Sequence, residues 1–167
     1  VSANSATNNL TLFLQESPGV FAQSAPPLET GLNPRHVIAA DLDGDGDVDL
    51  ASANFNSNNL TVFFQSDTQP GTFSETSTLG VGGNPWSVAA ADLNGDGDTD
   101  LVSANFSSDS LTVLFQDDTA QGGFATAAAT LSTGVNPAFV AAADLDGDGD
   151  VDLVSADTVS NTLTLFF

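Results

Sequence analysis

Three acidic segments contain the residues of this chain whose types and spacing could do chemistry. Each places Asp or Asn at every second position of a nine-residue run, with glycine at the fourth and sixth positions, and the runs begin at Asp41, Asp92 and Asp144. Carboxylates this close together repel one another unless a cation lies among them. Oxygen ligands at alternate positions, with glycine at the sixth, wrap around Ca²⁺, and the absence of nitrogen and sulfur ligands disfavours zinc and copper. The sequence therefore predicts three calcium sites.

The predicted ligands form one set in each of these acidic loops, residues 41–49, 92–100 and 144–152. Side-chain oxygens are expected at positions one, three, five and nine, and a backbone carbonyl oxygen at position seven. The residues are Asp41, Asp43, Asp45, Asp47 and Asp49 in the first loop, Asp92, Asn94, Asp96, Asp98 and Asp100 in the second, and Asp144, Asp146, Asp148, Asp150 and Asp152 in the third. Because Asn94 replaces a carboxylate, we expect the second site to bind calcium more weakly. An EF-hand is excluded, since position twelve is a serine in every copy and the flanks predict strands.

The composition excludes several classes of function. The 167 residues include 22 Asp or Glu against one Lys or Arg, which gives a formal net charge of -21. A surface this acidic repels phosphate, so neither nucleic acid nor an anionic membrane is an expected partner. No apolar stretch approaches the roughly 20 residues of a membrane span. Because Lys, Tyr, Cys and Met are absent and Arg35 and His36 are single copies, most nucleophile–base pairs cannot form, and we expect no enzymatic activity.

The acidic loops belong to a longer internal repeat, whose copies lie 51 and 52 residues apart. Asn-Pro precedes each loop and Ser-Ala follows it, in the segment that we predict as the second strand. Short apolar runs end at the loops and predict a first strand at residues 37–40, 88–91 and 140–143. Runs rich in β-branched and aromatic residues predict a third strand at residues 60–64, 111–115 and 163–167.

A weaker fourth strand is predicted after each Gly-Phe or Gly-x-Phe, at residues 73–79 and 124–131. The equivalent segment near the N-terminus, residues 21–28, contains Pro26 and Pro27. That suits an edge strand, because proline has no N–H group to donate. No window long enough for a helix lacks such breaks, so the pattern predicts an all-β chain.

A period near 50 with four strands predicts blades of a β-propeller, each of four antiparallel strands. We predict one repeat domain, with a partial blade at 1–32, blades at 33–83 and 84–135, and a partial blade at 136–167. Two full and two partial blades make an incomplete propeller. The unpaired edges are expected to pair with the remaining blades of a longer chain or with other copies of this one. A β-sandwich of duplicated hairpins is the alternative.

The repeated motif Asn-Pro-x-x-Val-Ala-Ala-Ala-Asp-Leu-Asp-Gly-Asp-Gly-Asp-x-Asp-Leu-Val-Ser-Ala-Asn resembles the FG-GAP/VCBS repeat. This resemblance implies calcium-binding propeller blades similar to those of the integrin α-subunit head and of certain fungal lectins. It also implies that the acidic loop joins the first and second strands of a blade. Together with the calcium demand, it implies an extracellular or cell-surface location.

Candidate ligand-binding residues lie just after each Asn-Pro, where the repeats differ. Trp86 could stack on a sugar ring, and Arg35 with His36 could bind an acidic group. Phe139 occupies the corresponding place in the last repeat. The alternative for Trp86 and Phe139 is packing between blades, the usual role of large aromatic side chains.

Three functions stay open at this point. The favoured one is a non-catalytic structural or adhesion module, stabilised by calcium, which self-assembles through its incomplete end blades. The second is a lectin-like propeller that binds glycans or surface proteins. The third is a non-catalytic part of a larger secreted enzyme. In each, calcium stabilises the fold, because it binds the folded loop.

Overall fold

The computed structural model describes residues 1–24, 26–117, 122–125 and 129–167, and every regular element in those ranges is a β-strand. The predicted all-β fold of antiparallel sheets is therefore confirmed. In chain order the strands are β1 (Ser2–Asn4), β2 (Asn9–Thr11), β3 (Phe13–Ser17), β4 (Val20–Gln23), β5 (Leu28–Glu29), β6 (Pro34–Ala40), β7 (Asp49–Asn54), β8 (Asn59–Ser66), β9 (Gln69–Gly80), β10 (Pro85–Ala91), β11 (Asp100–Asn105), β12 (Ser110–Leu114), β13 (Gln116–Asp117), β14 (Gly123–Phe124), β15 (Ala129–Ser132), β16 (Pro137–Ala143), β17 (Asp152–Asp157) and β18 (Thr162–Phe166).

Four sheets follow one another along the chain, and each has its strands in sequence order. They are β1-β2-β5, β6-β7-β8-β9, β10-β11-β12-β15 and β16-β17-β18, and we call them the first to fourth sheets. Two small hairpins are inserted in the chain before the last strand of a sheet: β3-β4 lies between β2 and β5, and β13-β14 lies between β12 and β15. Each sheet falls inside one of the four predicted blades. Their membership of a larger propeller stays a prediction.

The fourth strands differ in length from the predicted ones. Near the N-terminus the segment 21–28 is interrupted, as its prolines indicated: β4 ends at Gln23 and β5 begins at Leu28. Pro26 and Pro27 lie between them and cannot donate to a ladder, and β4 pairs instead with β3. The predicted strand 73–79 lies inside the longer β9, whereas residues 126–128 of the predicted strand 124–131 lie outside the described residues.

The first strand of the later three sheets begins earlier than predicted and contains a β-bulge. In the second sheet Pro34 pairs with Asn54 and His36 with Ala53, so that Arg35 is the extra residue. The register shifts at the same place in β10 and β16, where the extra residues are Trp86 and Ala138. A bulge frees one residue from the ladder and changes the direction of its side chain.

The core lies between successive sheets. Leu10 of the first sheet and Leu12, which directly follows β2, pack against Leu50 and Phe63 of the second sheet. The same arrangement recurs at the next two interfaces, whose buried members are Leu42, Ala51, Ala53, Leu60, Val62, Val88, Leu101 and Leu114, and Val102, Ala104, Leu111, Val113, Val140 and Leu153. Full burial of one Leu or Val side chain stabilises by about 1.5–3 kcal/mol, so these interfaces carry most of the apolar stabilisation.

Side-chain hydrogen bonds fix the distance between sheets at the end of the strands away from the acidic loops. The side-chain oxygen Oδ1 of Asn58 accepts the backbone N–H of Asn84 at 2.8 Å, and Asn8 accepts that of Asn33 at the same distance. Asp109 does this for Asn136, also at 2.8 Å. All three acceptors have a positive φ, a conformation that Asn and Asp adopt more easily than other side chains.

A close backbone approach accompanies these joints. Asn105 is buried at the end of β11, where it donates to Thr112 Oγ1 at 2.8 Å and accepts from Ser103 Oγ at 2.9 Å. Gly82 passes directly over it, so that a Cβ atom there would lie 2.7 Å from Asn105 Cγ. Gly31 approaches Asn54 in the same way, and Gly134 approaches Asp157. Only glycine fits at this place.

We therefore expect Gly82→Ala to lower the free energy of unfolding by about 1–3 kcal/mol, the usual cost of overpacking. The measurement is urea denaturation in excess calcium. Gly80→Ala is the matched control, because a Cβ at Gly80 meets nothing within 4 Å. Its effect should stay within about 0.5 kcal/mol. Equal stability of the two variants would contradict the close approach at Gly82.

Candidate metal centres

Each acidic loop joins the first strand of a sheet to the second. The first loop leaves β6 after Ala40, and its ninth position, Asp49, is the first residue of β7. Asp100 and Asp152 likewise begin β11 and β17. Since the two strands are antiparallel neighbours, each loop closes a hairpin at the same end of its sheet. Position nine is thereby held by a strand, whereas positions one to eight form the turn.

The carboxylate at position one fixes the shape of the turn. Asp41 Oδ1 accepts the backbone N–H of Gly44 at 2.8 Å, and Oδ2 accepts that of Gly46 at 3.0 Å. Both glycines have a positive φ, 77° and 93°, which other residues rarely adopt. Asp92 and Asp144 make the same pair of bonds in the other loops. The turn is thus preformed by its own backbone and side-chain contacts.

The carboxylate at position nine has a second role that sequence reasoning missed. Asp49 is fully buried, and its two oxygens accept the backbone N–H groups of Leu42, in the loop, and Gln65, near the end of β8, both at 2.8 Å. Asp100 accepts from Leu93 and Gln116 at 2.9 Å in the same way. Asp152 accepts from Leu145 at 2.8 Å. In the first loop one side chain therefore ties the acidic loop to the third strand of its sheet, and in the second it ties the loop to β13, which follows the third strand.

Burial, and after it the crowding of negative charge, raises the pKa of three of these carboxyl groups. Burial, followed by the negative charge of Asp49, raises the pKa of Asp43 to about 6. Burial also raises the pKa of Asp49, against the opposing effect of its hydrogen bonds from Gln65 and Leu42. The pKa of Asp100 is raised for the same reason. Loss of charge is thus favoured in the folded loops, and a bound cation would oppose that loss.

Positions one, three and nine come together in two of the loops. Ligand oxygens of Asp41, Asp43 and Asp49 all lie within 4.8 Å of one another. The corresponding oxygens of the third loop, from Asp144, Asp146 and Asp152, do so as well. Three carboxylates at this spacing, without nitrogen or sulfur donors, suit a hard cation such as Ca²⁺. These two clusters could hold a metal ion.

The remaining predicted ligands are placed less closely. Asp45 is exposed and its Oδ1 accepts the backbone N–H of Asp47 at 2.8 Å, a contact that Asp148 repeats with Asp150 at 2.9 Å. These positions, five and seven, lie outside the two three-residue clusters. Their coordination of calcium stays a prediction.

The second loop has the same backbone with a different side chain at position three. The Asn94 amide donates to Asp96 Oδ2 at 2.7 Å, and its Oδ1 accepts the Asp96 N–H at 3.0 Å. Asp98 accompanies them at position seven and donates its N–H to Asp96 Oδ1 at 2.9 Å. The amide replaces a repulsive contact between carboxylates by a hydrogen bond. The weaker calcium affinity expected of this loop stays a prediction.

The predicted ligand-binding residues lie at the other end of the first strands. The Arg35 guanidinium lies 5.1 Å from the ring centroid of Phe55 and 5.0 Å from that of Trp86. Trp86 also contacts Phe55 edge-on at 5.4 Å and Phe106 at 4.8 Å. Phe55 and Phe106 were missed, although an Asn-Phe pair after Ser-Ala in two repeats could have pointed to them. Half-buried Trp86 thus packs between the second and third sheets, and sugar stacking on it stays a prediction.

His36 and Phe139 form a separate contact at this end. Their rings meet edge-on at 5.8 Å, and Phe139 remains 51% exposed. His36 Nδ1 lies 3.1 Å from the backbone oxygen of Val88. Burial lowers the pKa of His36, so that its neutral form is favoured at pH 7. The structure therefore places the four candidates at one end of the strands, in two ring contacts.

The double role of position nine predicts unequal effects of two substitutions in the second loop. In excess calcium, we expect Asp100→Ala to lower the free energy of unfolding by about 1–3 kcal/mol more than Asp96→Ala. Both variants lose a carboxylate, but only Asp100→Ala leaves two partly buried N–H groups without an acceptor. Urea denaturation of both variants checks this. Equal losses would mean that position nine acts through calcium alone.

The raised pKa of Asp43 predicts that the pH dependence of stability changes sign when calcium is removed. Between about pH 4 and pH 6 the folded protein binds more protons than the unfolded chain, so stability in excess chelator falls as pH rises. In excess calcium it should rise over the same range, because protons compete with the ion. Thermal melting at pH 4.5 and pH 6.5 measures both. Asp43→Asn should weaken the dependence more than Asp67→Asn, which changes the charge equally at an exposed turn; equal slopes would contradict the assignment to Asp43.

Comparison with known proteins follows the same repeat. The FG-GAP-like repeat family matches three overlapping segments, residues 1–52, 41–103 and 92–155. No curated protein sequence matches the chain, and within its described residues no helix is long and apolar enough to cross a membrane.

A similar solved structure is that of a Bacteroides uniformis protein named for a proposed 6-phosphogluconolactonase activity. It is 16% identical with a TM-score of 0.70, and the alignment covers 96% of this chain. The chain spans only 44% of that protein, and at this identity the likeness shows the fold alone. The three family matches together run from residue 1 to residue 155, and the chain therefore belongs to the FG-GAP-like repeat family.

Proposed function

We propose that this chain is a non-catalytic, calcium-stabilised structural module of a secreted or cell-surface protein, and that it serves adhesion or assembly. The observation that carries the proposal is the grouping of three carboxylates within 4.8 Å in the first and third acidic loops. Membership of the FG-GAP-like repeat family supports it. The second loop, with the same backbone contacts, is the proposed third site.

The geometry favours a stabilising role for the ion. Burial, followed by repulsion from Asp49, raises the pKa of Asp43, and a cation among Asp41, Asp43 and Asp49 would oppose that rise by favouring the charged form. The ion would also stabilise the acidic loop, which Asp49 ties to β8. Because the ion binds the folded loop, it stabilises the fold by mass action, to an extent set by its concentration relative to the dissociation constant.

A non-catalytic role is supported by the use to which the acidic groups are put. The carboxylates at positions one and nine already accept backbone hydrogen bonds that shape the loops. His36 contacts Phe139 and Val88, and neither supplies a nucleophile. General acid–base work needs a titratable group within hydrogen-bond reach of a substrate, and these groups serve the fold instead.

Assembly is supported by the apolar face of the fourth sheet. Leu163 and Leu165 of β18 are 64% and 46% exposed, whereas the residues at the same places in β8, Leu60 and Val62, are fully buried against the next sheet. A further blade placed on the fourth sheet would cover them in the same manner. We propose that this blade comes from the same longer chain or from another copy.

Calorimetric titration with calcium tests the proposal. The expected result is three sites per chain and a higher unfolding temperature in calcium than in excess chelator. Asp144→Asn with Asp146→Asn should remove one site and leave the others, because the loops lie on separate sheets. The matched control is Asp67→Asn with Glu16→Gln, which makes the same change of charge outside the acidic loops. Asp109 is not used for the control, because it joins two sheets.

Light scattering on the same samples measures the molar mass. Association in calcium that chelator reverses supports assembly between copies, whereas a monomer in both conditions assigns the open face to a longer chain. Absence of calcium binding at millimolar concentration would overturn the proposed function. Calcium-dependent hydrolysis of a substrate would overturn its non-catalytic part.

A further inference from the structure

Arg35 is the single Lys or Arg of the chain, against 22 acidic residues. Its exposed guanidinium lies over the rings of Phe55 and Trp86. Within the ranges that the structure describes, Arg35 makes no ion pair, and it stands at the end of β6 remote from the first acidic loop. The Arg35 guanidinium, which carries the one permanent positive charge among the side chains, therefore contacts aromatic rings and stays exposed to solvent.

The β-bulge accounts for this placement. Arg35, Trp86 and Ala138 are the extra residues of the same bulge in three sheets. The proline before each of them is buried in all three sheets, whereas the bulged side chain changes from arginine to tryptophan to alanine. Bulges are frequent where a side chain must be turned away from the ladder toward a site. The framework therefore presents a position whose side chain is free to differ.

The guanidinium of Arg35 keeps its hydrogen-bond donors. Arginine has five N–H groups in one plane, and no side-chain hydrogen bond within the described residues occupies those of Arg35, which contacts its neighbours through aromatic rings. A carboxylate can accept two parallel N–H bonds in that plane, a charge-assisted arrangement stronger than bonds between neutral groups. The rings of Phe55 and Trp86 also keep water from one side of the cation. The next residue, His36, contacts half-exposed Phe139, which adds apolar surface at the same end of the strands.

The charge of the whole protein restricts the ligand. At a net charge of -21, a polyanion is repelled over distances up to the Debye length, about 8 Å at physiological salt. A ligand with one carboxylate and an otherwise uncharged body meets much less repulsion. We infer that Arg35, with Phe55 and Trp86, forms a binding site for a single carboxylate carried on an aromatic body. This inference goes beyond the proposed function and does not depend on calcium binding.

Tryptophan fluorescence tests the inference, because Trp86 is the only tryptophan and contacts Arg35. The probes are N-acetylphenylalanine and its uncharged amide, added to the full chain in millimolar calcium. We expect a saturable change with the acid and at least tenfold weaker binding of the amide. Arg35→Gln should weaken binding of the acid at least tenfold, whereas Gln69→Glu, an equal charge change at an exposed hairpin, should leave it unchanged.

A second variant separates binding from folding. Since Arg35→Gln also removes two cation–π contacts, its unfolding temperature is measured alongside, and Arg35→Lys keeps a cation but loses the planar fork. Intermediate affinity of Arg35→Lys supports the site. Equal binding of acid and amide, no saturable response to either, or unchanged affinity in both Arg35 variants would overturn it. Binding of glucuronate without binding of N-acetylphenylalanine would overturn the aromatic body and assign the site to acidic sugars.

Discussion

Crowded negative charge is the constraint on which the rest of this structure depends. Each acidic loop holds four or five carboxylates within nine residues, and the fold has to keep them close without a basic side chain nearby. Backbone N–H groups carry that task at positions one and nine, where the glycines of the turn and the end of the third strand donate to carboxylate oxygens. Backbone N–H dipoles thus stabilise these carboxylates, a role that lysine or arginine side chains have at other sites. The pKa of Asp43 is raised first by burial and then by the charge of Asp49, and a bound ion would oppose both effects.

The two ends of each sheet carry different side chains and make different contacts. At one end, carboxylates and glycines form loops that suit a cation. At the other, Asn and Asp side chains join one sheet to the next: Asn58 accepts the N–H of Asn84, Asp109 accepts that of Asn136, and buried Asn105 lies under Gly82. An uncharged amide suits the buried place of Asn105, because its burial avoids the desolvation cost of a charge. Asp157 stands where the other sheets have asparagine, and donors from Ser155, Thr164 and Gly134 surround it.

Much of this could be predicted from the sequence, because the informative residues are local. Apolar runs that end at the acidic loops placed those loops between the first and second strands, where the structure has them, and the strand-like runs within each repeat predicted the all-β fold. The bond from Gln65 to Asp49 could not be predicted, since it joins residues sixteen apart through the register of a third strand. The contact of Arg35 with Trp86 depends on the distance between two sheets, and no pattern within one repeat specifies it.

The edge-on contact between His36 and Phe139 shows that the sheets do not form a flat stack. These rings belong to the second and fourth sheets, with the third between them in sequence, yet their centroids are only 5.8 Å apart. Packed sheets are spaced by about 10 Å, so in a flat stack the second and fourth would stand about 20 Å apart. The first strands therefore converge on a common axis, and the sheets fan out from it. A further blade added by the same step would continue this arc, which is the arrangement that the predicted propeller requires.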